Sequence, residues 1–76
     1  MIIGSEKLYT GISHRGLTGE RVKIVAVHRG EQILDEDDEI GALLPTDTVE
    51  IRPWLDEKDR FSWVSYDASP DELADL

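Results

Sequence analysis

Cysteine is absent from this chain, and residues able to do chemistry are scarce. There are two histidines, one methionine and three prolines, and five aromatic residues in all: two Trp, two Tyr and one Phe. Without cysteine no disulfide can form. Small secreted domains usually depend on disulfides to offset a thin core, so a reducing, cytoplasmic setting is expected. His14 and His28 are the only imidazoles. A structural zinc centre drawing on four nitrogen or sulfur ligands is therefore close to excluded, and neither metal nor cofactor is expected. No apolar run approaches the roughly 20 residues that a membrane span requires. The opening Met1-Ile2-Ile3-Gly4 is too short for a signal sequence and lacks its basic start.

What is present is charge. Charged residues make up 33% of the 76 positions and apolar residues 39%, with a formal net charge of −9. Such a length supports one small domain spanning residues 1–76. About 60% of its unfolded surface would be buried on folding, enough for one barrel or one small α+β unit. The charge is unevenly spread. Residues 1–30 carry five bases (Lys7, Arg15, Arg21, Lys23, Arg29) against two acids (Glu6, Glu20), whereas residues 31–76 carry fifteen acids and three bases (Arg52, Lys58, Arg60). An acidic domain is repelled by phosphate backbones, so direct nucleic-acid binding is disfavoured and a basic protein partner is expected.

Glycine and proline punctuate the chain between short apolar segments, the pattern of an all-β sandwich or barrel. Four strands are expected: residues 7–12, 21–28, 48–54 and 60–66. Residues 21–28 (RVKIVAVH) form the best strand. Val22, Ile24 and Ala26 would share one face; Lys23, Val25 and Val27 would share the other. Along residues 48–54, Val49 and Ile51 point one way and Glu50 and Arg52 the other, so one face should be wet. Pro53 cannot donate to a ladder and predicts an edge or a strand end. Adjacent Trp63 and Val64 break the alternation and suggest a bulge. Ser69, Pro70 and Glu72 spell a helix start, with Ser69 at the N-cap, proline at the first helical position and Glu72 as the reciprocal capping-box partner. A C-terminal helix of one or two turns is expected there.

Several motifs bear on function. Asp35-Glu36-Asp37-Asp38-Glu39 fails the calcium-loop pattern, because its sixth position is Ile40 and its twelfth is Thr46, not glycine and glutamate. It reads as a solvated loop or a contact surface for a basic partner. Ser13-His14-Arg15-Gly16 juxtaposes a hydroxyl and an imidazole, but neighbours in one loop rarely achieve the geometry of a nucleophile and its base. Gly16-Leu17-Thr18-Gly19 lacks the Gly-Lys-Ser/Thr ending of a phosphate loop. His28 reads as a half-buried strand terminus. Four of the five aromatics, Trp54, Phe61, Trp63 and Tyr66, fall around one predicted hairpin. Phe61 and Trp63 are expected to fill the core. Trp54, next to Pro53 and near Arg52 and Arg60, is the expected exposed anchor, since aromatic residues with arginine dominate binding hot spots.

Gly16-Leu17-Thr18-Gly19-Glu20-Arg21-Val22-Lys23-Ile24-Val25 resembles the glycine-then-strand phrase of SH3-like domains, and Leu43-Leu44-Pro45-Thr46-Asp47-Thr48-Val49-Glu50-Ile51 resembles their turn-into-strand phrase. The resemblance implies a small, half-open SH3-like barrel of four or five strands; an OB-like barrel is the runner-up. The chain is also similar in general character to short acidic orphan proteins of phages and prophages, which implies a host-directed or accessory role. The expectation is a non-catalytic interaction module. Its contact surface would join Asp35, Glu36, Asp37, Asp38 and Glu39 to Arg52, Trp54 and Arg60. The alternative is an acidic nucleic-acid mimic that inhibits a host defence or transcription protein, in the manner of anti-CRISPR proteins.

Overall fold

The computed structural model describes residues 3–76; Met1 and Ile2, which open the segment weighed above as a signal sequence, lie outside them. The chain is mainly β. It forms one antiparallel sheet whose hydrogen-bonded path does not close on itself. Among the described residues there are seven strands instead of four or five: β1 (Glu6–Tyr9), β2 (Arg21–Arg29), β3 (Gln32–Leu34), β4 (Thr48–Leu55), β5 (Arg60–Phe61), β6 (Tyr66–Ala68) and β7 (Leu73–Ala74). Among the described residues the helical pieces are three-residue 3-10 turns at Arg15–Leu17, Asp56–Lys58 and Pro70–Glu72.

The two long strands, β2 and β4, pair along most of their length and form the centre. Both are rich in valine and isoleucine, which pack well on a half-buried pleated surface. β1 and β3 flank successive halves of β2, β5 and β6 flank successive halves of β4, and β7 pairs with β1. The core is aliphatic around one tyrosine: Ile3, Tyr9, Val22, Ile24, Val27, Ile40, Val49, Ile51 and Ala68. Each fully buried valine or isoleucine contributes about 1.5–3 kcal/mol.

Several expectations are corrected. In β2 the register shifts between Ile24 and Ala26, so the bulge lies there and not at Trp63-Val64. Past it Val27 joins Val22 and Ile24 in the core, while Val25 is only half-buried. β3 was not expected. It is reached through Gly30 and Glu31, with Arg29 paired to Gln32 across a two-residue turn. Gly30 has φ of 62°, the positive angle that a type II′ turn needs at its first central position. The single strand expected over 60–66 is split into β5 and β6. Pro53 explains the break. Its carbonyl accepts from the Ser62 N–H at 2.8 Å, so its backbone polar edge faces this flank, where proline has no N–H to return. Trp63 and Val64, in the gap, are exposed, and Trp63 is 76% accessible rather than a core residue.

The expected C-terminal helix is a single 3-10 turn. Its start is as read: Ser69 precedes Pro70, and the Ser69 N–H donates to Glu72 Oε1 at 3.0 Å. The helix does not continue, because Leu73 and Ala74 are extended and pair with Tyr9 and Leu8 of β1.

Candidate functional site

The residues expected to form one contact surface are dispersed: Asp35, Glu36, Asp37 and Arg52 line one concavity, Trp54 lines a second, and Asp38, Glu39 and Arg60 line neither. Asp35, Glu36 and Asp37 line a cleft of about 330 Å³ together with Ile3, Gly4, Lys23 and Arg52. The acidic run is a built turn. Asp35 Oδ1 accepts from the Asp37 N–H at 2.9 Å, and Asp38 Oδ2 accepts from the Asp35 N–H at 3.0 Å. Asx turns of this kind let the aspartates satisfy their own backbone. Residues 35–39 are all exposed. Opposite them, Lys23 and Arg52 face each other across β2 and β4. Arg52 Nε is buried and has no hydrogen-bond partner among the described residues.

Trp54 belongs to the second concavity. This groove of about 430 Å³ is walled by Leu17, Pro53, Trp54, Leu55 and Tyr66, with Glu20, Asp56 and Glu57 along it and no basic residue in its lining. Trp54 is half-buried, not the free anchor expected. The Arg21 guanidinium sits 4.4 Å from its ring centroid, and Phe61 meets it edge-on at 4.9 Å. β4 and β5 set that pairing by placing Trp54 opposite Phe61. Arg60 lines neither concavity: its guanidinium lies 5.2 Å from the Trp63 ring. Trp63 is therefore the exposed aromatic that sequence reasoning misplaced, and no periodicity signals it because it sits in the unpaired gap.

Two polar nodes hold the walls in place. The Tyr9 hydroxyl, fully buried, donates to Glu72 Oε2 at 2.7 Å and accepts from the His14 N–H at 3.1 Å. His14 Nε2 reaches the Asp67 carbonyl at 2.8 Å. Loop 10–20 is thereby tied to the C-terminal turn. Backbone hydrogen bonding from Ser69, then the Tyr9 hydroxyl, hold the Glu72 carboxyl below its ordinary range; burial and then Glu72 push the Tyr9 hydroxyl up. His14 thus serves loop architecture. In the second node Arg29 donates to Asp47 through Nε (3.0 Å) and Nη2 (2.8 Å), and Leu44 N–H adds a third bond at 2.8 Å. The Arg29 hydrogen bonds hold the Asp47 carboxyl low.

A third cluster was not anticipated. His28 of β2, Glu50 of β4 and Asp67 of β6 bring three donor atoms within 4.8 Å of one another. They are far apart in sequence, and only the strand register assembles them.

Comparison with protein families, with curated proteins and with solved structures gave no significant match. No helix among the described residues is long and apolar enough to cross a membrane.

Proposed function

We propose that this chain is a non-catalytic protein-interaction module, and that its groove takes an extended, basic segment of a partner protein. One observation carries the reading. The groove has an apolar floor that includes Pro53, Trp54 and Tyr66, its charged lining residues are Glu20, Asp56 and Glu57, and no base lines it. An apolar floor supplies affinity and acids select bases. The connectivity supports an SH3-like assignment: β1, a long loop, β2 and β4 paired at the centre with the short strands β3, β5 and β6 on their flanks, then a 3-10 turn and β7 returning to β1. Domains of that kind dock extended, proline-rich segments on aromatic-lined grooves. The partner so defined fits the basic protein expected from the net charge and the host-directed role implied by the resemblance to short acidic phage proteins.

The nucleic-acid mimic has less support. Lys23 and Arg52 stand in the same cleft as Asp35–Asp37, which interrupts a row of carboxylates through that cleft.

The test is a panel of extended proline-containing peptides bearing arginine or lysine, with glutamate-bearing counterparts. Trp63→Phe leaves Trp54 as the sole tryptophan reporter. Basic peptides should shift Trp54 emission, and Asp56→Lys with Glu57→Lys should weaken binding by about tenfold or more. Trp54 emission indifferent to every basic peptide, or binding unchanged by the reversal, would overturn the proposal.

A further inference from the structure

We infer that the outer face of the sheet carries a divalent transition-metal site formed by His28, Glu50 and Asp67. The argument starts from the strand register. Glu50 of β4 lies directly opposite Asp67 of β6. Like charges directly opposite on antiparallel strands repel and destabilise the pair. Among the described residues neither carboxylate is paired with a lysine or arginine; the His28 imidazole places its Nε2 3.2 Å from Glu50 Oε1. A divalent cation between the three groups would neutralise both.

The geometry suits such an ion. Zinc lies about 2.0–2.2 Å from imidazole nitrogen and carboxylate oxygen. Two ligand atoms at that distance from a shared ion stand roughly 3.0–3.4 Å apart for octahedral or tetrahedral angles, and the His28–Glu50 separation of 3.2 Å falls in that window. All three donor atoms lie within 4.8 Å of one another, and Asp67 is exposed, so its carboxylate needs only a rotamer adjustment to close the set. The three ligands come from three neighbouring strands, a rigid platform. His14 Nε2 holds the Asp67 carbonyl at 2.8 Å and steadies that strand. One imidazole and two carboxylates select zinc, manganese, iron or cobalt over soft monovalent ions. Three protein ligands on an open face leave room for water or for a donor group from a partner.

The test uses Zn²⁺ and Co²⁺ as probes on the full chain in a non-chelating buffer near pH 7. Calorimetry should give saturable binding of one Zn²⁺ per chain. Co²⁺ should develop visible absorption bands that Zn²⁺ bleaches. Asp67→Asn and His28→Ala should each weaken Zn²⁺ binding by about tenfold or more, while Asp37→Asn, in the acidic turn, should leave it unchanged. Circular dichroism shows whether each variant is folded, and the exposed Asp67→Asn keeps the test decisive if His28→Ala is not. Absence of saturable binding to the wild-type chain would overturn the site. So would binding that folded Asp67→Asn retains, or that Asp37→Asn removes to the same extent.

Discussion

Asp47 is the one buried charged residue among those described, and it accepts three hydrogen bonds: two from Arg29 and one from the Leu44 N–H. It ties the 35–47 loop to the end of β2. Removing one partner of such a pair leaves the other without compensation. Asp47→Asn should therefore lower Tm by roughly 5 °C or more at neutral pH. The pH dependence has a definite sign. The folded-state pKa of Asp47 is depressed, chiefly by Arg29, so its stabilisation is present above the unfolded carboxyl value and is lost as pH falls through the folded one. Thermal melts of wild type and Asp47→Asn should differ most at neutral pH and converge in acid; a gap that stayed constant down to about pH 2 would contradict the assignment. Gly11 answers to the other node. A Cβ there would collide with the Glu72 carboxylate, which is held by Tyr9 and by the Ser69 N–H. Displacing that carboxylate leaves the buried Tyr9 hydroxyl without its acceptor. Gly11→Ala should cost about 1–3 kcal/mol in urea unfolding.

At the level of elements, the β2–β3 turn depends on Gly30 at φ 62°, a conformation side chains resist. Gly30→Ala should destabilise by about 1 kcal/mol. Gly16 has no positive φ, and a Cβ there meets nothing within 4 Å, so Gly16→Ala should be neutral or slightly stabilising. Chemical denaturation of the two variants side by side checks the contrast, and equal effects would show that backbone angle is not the cause. These elements also show what a sequence can and cannot reveal. β2 and β4 were legible because both are dense in valine and isoleucine, which alternate with polar residues in the first half of β2 and along β4 as far as Arg52, and Ser69-Pro70-Glu72 was legible because capping is local. β3 was missed: two of its three residues are exposed, Ile33 at 65%, so no buried face marks it. The length of the C-terminal helix was misjudged because pairing of Leu73 and Ala74 with β1, a contact across most of the chain, outweighs a local start signal. The His28–Glu50–Asp67 set was invisible, since a one-residue slip of any strand would disperse it.

For the whole molecule, the question is how a net charge of −9 acts when the acids are not gathered in one place. Asp35, Glu36 and Asp37 of the exposed acidic run line a different concavity from the groove around Trp54, and Asp38 and Glu39 line neither. Charges outside a contact steer encounter and are screened over about 8–10 Å at physiological salt, whereas groups inside it govern dissociation. The two sets of residues should therefore separate kinetically with a basic peptide in the groove. Asp37→Lys with Asp38→Lys should slow association by about threefold at low ionic strength, with the difference vanishing at high salt and dissociation unchanged. Trp54→Ala should speed dissociation by about tenfold or more and leave the salt dependence of association intact. Stopped-flow measurement at two ionic strengths reads both effects. If the loop reversal changed dissociation as strongly as Trp54→Ala, the acidic turn would be part of the contact itself, and the bound segment would have to reach from the groove to the Lys23–Arg52 cleft.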